Sequence, residues 1–231
     1  MTSVEIIAEV KAVLKAAWNR PKGTVVPDVD DLVLSGNHGI ELDAVVLYAD
    51  MADSTALVDR YKDEFAAEVY KSFLLAACRA IRDLNGEITA FDGDRVMAIF
   101  VGGRKNSDAA KAALRINYLV KEINNAIKAQ YSTMTFVLRH CVGIDSGKIL
   151  AARTGIRNAN DIVWVGPAAN YAAKMCGIKD EGYPTVISQA VYNSLEDASK
   201  YAGSPKRDMW EQRTWSATGK TVYRSHFHWT F

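Results

Sequence analysis

The segment Ala44-Val45-Val46-Leu47-Tyr48-Ala49-Asp50-Met51-Ala52-Asp53-Ser54-Thr55 decides how this chain is read. Its first six residues are a short apolar run ending at a carboxylate, the pattern of a strand buried on both faces. Helical periodicity follows at once, from Ser54 to Leu84, with a break near Asp63 and a stop at Asn85-Gly86. A buried strand that delivers Asp50 to a helix start offers a hard oxygen ligand beside free N–H groups that can hold phosphate oxygens. The plainer reading makes Asp53 or Ser54 an N-cap and Asp50 a strand terminus.

Downstream, Glu87 to Phe91 and Arg95 to Phe100 flank Asp92-Gly93-Asp94, a hairpin signal. Alone this is a turn. Beside the Asp50 strand it lets Asp94 face Asp50, and two carboxylates with triphosphate oxygens can hold two divalent ions about 3.5–4 Å apart. Ser107 is placed to N-cap a helix running to about Ala129. Phe136, Leu138, His140, Val142 and Ile144 alternate along a strand that ends in Gly143-Ile144-Asp145-Ser146-Gly147. Ile149 to Arg153 and Ile162 to Val165 read as a further strand pair, and Pro167 to Ile178 as a helix with proline in its first turn. On that helix Asn170 and Lys174 share a face, suiting a ribose and a polyphosphate, or forming a solvated surface pair. A strand near Val186, a helix from Ala190 to Leu195, and strands Met209 to Thr214 and Thr221 to Trp229 follow. At the other end, residues 4–18 form one amphipathic helix, and a Pro/Asp-rich arm leads to Gly39. The expected organisation is a helix and arm over 1–39 and one α+β domain over 40–231, a sheet with helices packed on it.

The chain has 231 residues, 49% hydrophobic and 24% charged, an ordinary globular composition. At 25.4 kDa, folding should bury roughly 72% of the unfolded surface. Lys and Arg number 28 against 27 acids, so no net field draws the whole surface to nucleic acid or an acidic membrane. No apolar run approaches the ~20 residues of a membrane helix, and acids interrupt the N-terminal apolar stretch, which makes it a poor signal peptide. Cys78, Cys141 and Cys176 are odd in number, widely spaced and set among apolar residues. That pattern excludes a disulfide framework or a Cys-rich zinc site and suits a reducing cytoplasm. His226 and His228 sit two apart on the last expected strand with no third ligand nearby in sequence, so a structural or exposed role is favoured over metal.

In their order, these segments resemble the class III nucleotidyl cyclases over roughly residues 44 to 229. Family chains read F-D-I-x-G-F-T where this one has Tyr48 to Thr55, and G-D where it has Gly93-Asp94. They read G-I-x-x-G at Gly143 to Gly147, and G-x-x-x-N-x-A-x-R at Gly166, Asn170, Ala172 and Lys174. The resemblance implies a ferredoxin-like βαββαβ sheet. It makes Asp50, Asp94 and the Met51 carbonyl ligands of two Mg²⁺ or Mn²⁺ ions, with Ala52, Asp53, Ser54 and Thr55 beside the phosphates. Asn170 would orient the ribose, and Lys174 stands where the family has an arginine, keeping the charge and losing the planar fork. It also implies a head-to-tail homodimer in which Asn170 and Lys174 reach the other subunit's carboxylates. The reaction is attack of the ribose 3′-oxygen on the α-phosphorus with loss of pyrophosphate.

In the family's purine cyclases a lysine four residues before the second metal aspartate reads adenine; here it is Ala90. Its aspartate partner is here Val163, which Asp161 replaces only through a register shift. Loss of both polar groups argues against adenine. Tyr48, two residues before Asp50 on one strand face, projects a phenol that can narrow the pocket. Arg95 can donate to a pyrimidine carbonyl or form a hairpin salt bridge, and Lys220 is a terminal-phosphate contact or a solvated lysine. The lone domain with its short arm resembles the pyrimidine cyclases of bacterial anti-phage Pycsar systems, whose cyclic UMP or cyclic CMP activates a separate effector. Uracil's two carbonyl acceptors suit an arginine, so UTP is favoured ahead of CTP. A purine cyclase and an inactive nucleotide-binding module are the remaining alternatives.

Overall fold

The computed structural model describes residues 2–178 and 182–231. The first half of the chain gives α1 Ser3–Lys15, β1 Trp18–Asn19, β2 Asn37–His38, β3 Ile40–Ala52, α2 Ser54–Arg60, α3 Asp63–Arg82, β4 Glu87–Asp92, β5 Arg95–Phe100 and α4 Lys105–Gln130. The second gives β6 Arg139–Ile156, β7 Ala159–Val165, α5 Pro167–Cys176, β8 Thr185–Ser188, α6 Gln189–Asn193, α7 Asp197–Lys200, β9 Tyr201–Ala202, β10 Arg207–Asp208, β11 Glu211–Trp215 and β12 Lys220–Ser225. The main sheet runs β11-β12-β8-β6-β3-β5-β4, with β7 paired to the far half of β6.

β3 is the central strand, and its alternation builds two cores. Val45, Leu47, Ala49 and Met51 point to the layer of α3 and α4, where they pack with Phe73, Ile81, Leu114 and Ile116. Leu42, Ala44 and Val46 point the other way, to Ala168, Ala169 and Ala172 of α5. Tyr48 and Asp50 have the same parity, so they lie on the α5 side. The small residues of α5 permit close approach: a Cβ at Gly143 would overlap the Ala172 carbonyl and the Cys176 amide nitrogen. Gly143 therefore seats α5 directly on the β6 backbone. Between β4 and β5, Asp92 pairs with Arg95, so Gly93 and Asp94 are the two turn residues. Gly93 has φ +60°, which places glycine where a II′ hairpin turn requires it.

Several expectations shift. Ser107 lies inside α4 rather than at its cap; buried, its Oγ accepts from the Glu196 N–H at 2.9 Å. The strands expected over 136–144 and 149–153 merge into one 18-residue strand, β6, which begins only at Arg139, because it pairs continuously with β3 from Ala52↔Arg139 to Ile40↔Ala151. The last strand stops at Ser225, so His226 and His228 lie beyond it. α1 has Thr2 as a capping-box N-cap and no buried residue; Asn37 Nδ2 donates to the carbonyls of Val13 and Ala16 at its end. Among the described residues no helix is long and apolar enough to cross a membrane.

His140, at the start of β6, lies 2.8 Å through Nε2 from Oδ1 of the buried Asn117, whose Nδ2 donates to the Phe227 carbonyl. Burial pushes its pKa down to about 4. An unfolded histidine titrates near 6.5, so between these values the unfolded chain binds more protons. His140's contribution is fully present above about pH 6.5 and is lost as pH falls toward 4, of order 3 kcal/mol. Urea midpoints should drop over that window, and a His140→Asn variant should flatten the drop. An equally steep fall in the variant would assign the acid sensitivity elsewhere.

Candidate active site

Asp50 leaves β3 on the α5 side, half-buried, and Arg95 of β5 donates to its Oδ2 through Nε at 3.2 Å and Nη2 at 3.0 Å. Burial raises the Asp50 carboxyl above the ordinary carboxylate range, the Arg95 hydrogen bond opposes the rise, and the nearby Asp94 charge adds to it. Arg95 thus makes a salt bridge, but across to β3 rather than within its own hairpin. Asp94 sits in the turn with its Oδ2 buried and without a hydrogen-bond partner among the described residues. A buried carboxylate oxygen with no donor among the described residues, next to a second carboxylate, has the chemistry to accept a cation. The donor set is hard oxygen and fits Mg²⁺ or Mn²⁺.

Tyr48 is half-buried on the same strand face, and burial raises its phenol pKa against the opposing Arg95 charge. Met51 has its side chain in the α3/α4 core, leaving only its backbone for the site side. Asp53 stands at the N-cap of α2 with φ +60° but makes no capping hydrogen bond; its carboxylate pairs with Arg139. Ser54 and Thr55 form the first turn behind it, and Ala52 and Asp53 line a cavity of about 580 Å³ with Arg139 and His140.

The remaining expected residues lie on α5, β12, β4 and β7. Asn170 and Lys174 project from the exposed face of α5, and neither side chain has a hydrogen-bond or ion-pair partner among the described residues. Lys220 opens β12 with Nζ 4.0 Å from the Tyr171 ring centroid, beside a second cavity of about 320 Å³ that Asp145 and Ser188 also line. Ala90 is half-buried on β4 next to a register shift at Ile88/Ala90. Val163 is exposed on β7, whose pairing with β6 is regular from Leu150↔Val165 to Ile156↔Ala159, so no bulge brings Asp161 into its place.

One feature escaped the sequence reading. Cys141 lies opposite Asp50 in the β3/β6 register, and Cys176 ends α5 against the same spot, their sulfurs 3.5 Å apart. Spacing along the chain excluded a Cys-rich site, but it could not reveal a pair made neighbours by strand register and the seating of α5.

No family model matches the chain. The uridylate cyclase of Xanthomonas perforans is 45% identical over 219 residues, 94% of this chain and 93% of the relative. The uridylate cyclase of Burkholderia cepacia is 47% identical over 214 residues, 92% of each chain. Among solved structures, the adenylyl cyclase CyaB from P. aeruginosa superposes with a TM-score of 0.69 at 18% identity, over 80% of this chain and 94% of that one. The guanylyl cyclase Cya2 gives 0.68 at 14% identity, over 83% and 95%. The superpositions of these two establish the fold, and the long, closely similar relatives establish the lineage: this nucleotidyl cyclase belongs to the uridylate cyclase family and carries the class III cyclase fold.

Proposed function

We propose that this chain converts UTP to 3′,5′-cyclic UMP and pyrophosphate. The observation that carries this reading is the pair of near-full-length relatives named uridylate cyclase, joined here to two carboxylates in a cation-ready arrangement. In the reaction the ribose 3′-oxygen bonds to the α-phosphorus, the bond from that phosphorus to the bridging oxygen of pyrophosphate breaks, and the hydroxyl proton goes to solvent. Asp50, Asp94 and the Met51 carbonyl would hold two divalent ions, Mn²⁺ or Mg²⁺, and these would supply neutralisation of the triphosphate charge and acidification of the 3′-hydroxyl. Arg95 keeps Asp50 ionised against the desolvation of its surroundings. The backbone of Ala52 to Thr55 cradles the phosphates. Asn170 orients the ribose and Lys174 stabilises the phosphate charge as pyrophosphate leaves.

The outward display of Asn170 and Lys174 suits a partner's site, so the working unit is a head-to-tail homodimer. In bacterial anti-phage defence, by the family resemblance, the cyclic nucleotide activates a separate effector protein.

Uracil selection rests on apolar Ala90 and Val163, which offer adenine no hydrogen bond, and on the phenol of Tyr48 two residues before Asp50. Tyr48→Ala should lower the UTP-over-ATP ratio of kcat/KM by about tenfold while slowing UTP itself less, the size of a steric contact in a binding pocket. An unchanged ratio would remove Tyr48 from base selection. The reading as a whole is tested by incubating the purified protein with Mn²⁺ and an equimolar mixture of the four ribonucleoside triphosphates. Cyclic UMP should dominate. Cyclic CMP as the main product would reassign the substrate, cyclic AMP or GMP would reject a pyrimidine cyclase, and no product would point to a binding module.

A further inference from the structure

Asp50 has neighbours that catalysis by hard ions does not use. One carboxylate oxygen of Asp50 and the sulfurs of Cys141 and Cys176 all lie within 4.8 Å of one another. The two sulfurs are 3.5 Å apart. That is close to the ~3.8 Å edge of a tetrahedron with metal–sulfur bonds of about 2.3 Å, and far from the ~2.05 Å of a disulfide. We infer that Asp50, Cys141 and Cys176 form a second, thiophilic metal site that takes Zn²⁺ or a similarly soft divalent ion and inhibits the enzyme by withdrawing Asp50.

Three features support the assignment. Thiolates select zinc-like ions over magnesium, and sites of mixed donors bind Zn²⁺ more tightly than Mn²⁺, so the same carboxylate can serve two metals of different chemistry. The charges also balance. Two thiolates and one carboxylate around a divalent ion leave one negative charge, and Arg95, already bonded to Asp50 at 3.0 Å, supplies one positive charge. Finally, the ligands come from three elements held rigidly together: Cys141 faces Asp50 across the β6/β3 ladder, and α5 seats Cys176 against β6 at Gly143. Cys176 is fully buried, while Asp50 retains 17% side-chain exposure and opens the way in. On binding, two S–H groups release two protons to solvent, two metal–sulfur bonds form, and water fills the fourth position.

Metal binding stands independently of the function proposed above; the inhibition rests on Asp50 serving catalysis, so the two are measured separately. The reduced full chain, kept in a phosphine reductant, is titrated with Cd²⁺ alone and followed by thiolate-to-cadmium charge-transfer absorption. One Cd²⁺ per chain should bind. Cys141→Ala and Cys176→Ala should each bind at least about tenfold more weakly, the lower bound set by loss of even an outer partner of a metal ligand. Cys78→Ala should match the wild type. Circular dichroism checks each fold, and Cys141→Ala, at a half-buried strand position, decides the matter should Cys176→Ala fail to fold. Absence of the absorption in the wild type, or wild-type affinity for Cd²⁺ in Cys141→Ala, would overturn the site, whatever the protein does with UTP. In the Mn²⁺-supported reaction, one equivalent of Zn²⁺ should remove most activity from the wild type and much less from Cys141→Ala. A wild type that binds Cd²⁺ through both sulfurs yet keeps its rate under Zn²⁺ would overturn the inhibitory role.

Discussion

Asp50→Asn and Asp94→Asn should each abolish cyclisation, and the two variants should part company in stability. On the proposed two-metal assignment each removes one ligand charge, so the rate should fall far below a tenth of wild type. A tenth corresponds to only ~1.4 kcal/mol of barrier, and a variant retaining more than that would contradict the two-metal assignment. Stability separates the two because their surroundings differ. Asp50 accepts two charge-assisted hydrogen bonds from Arg95, so its neutralisation should cost on the order of 1–2 kcal/mol after allowance for partial exposure. The buried Oδ2 of Asp94 has no hydrogen-bond partner among the described residues, so Asp94→Asn should be at least as stable as wild type in the absence of metal. Urea denaturation in chelator, set beside initial rates in Mn²⁺, reads both effects.

How much could be read from the residues alone depended on whether each signal was local. The Asp50 strand, the helix break near Asp63, the Asp-Gly hairpin and the proline-led α5 all emerged because turn chemistry and periodicity act within a few residues. Ser107 misled for a physical reason: a serine near a helix start is a cap in most contexts, but here its hydroxyl is taken by the Glu196 N–H from a distant segment. The unbroken length of β6 was hidden because Asp145, Ser146 and Gly147 look like a turn, yet they continue the ladder opposite Val46, Val45 and Ala44.

In the site, the carboxylates were legible as residue types at motif spacing, but their partners were not. The Arg95–Asp50 pair follows from strand order, β3 beside β5, which places residues 45 apart in sequence within 3.0 Å. The Cys141–Cys176 contact follows from register and helix seating, neither of which leaves a trace in composition. The position of Val163 was legible in the opposite sense: the regular β6/β7 pairing closes the route by which Asp161 might have restored a polar base contact.

The central claim is that two copies of this chain build each reacting site, carboxylates from one and the α5 pair from the other. Asp50→Asn and Lys174→Ala proteins should each be nearly inactive alone. Mixed in equal amounts with subunits free to exchange, about half the dimers should be mixed. In a mixed dimer one site carries both lesions, and the other takes Asp50 from the Lys174→Ala chain and Lys174 from the Asp50→Asn chain. Cyclase activity should therefore recover to about a quarter of wild type. A mixture that stays silent while native mass spectrometry shows the exchanged dimers would place Asp50 and Lys174 in one chain's site and contradict the account.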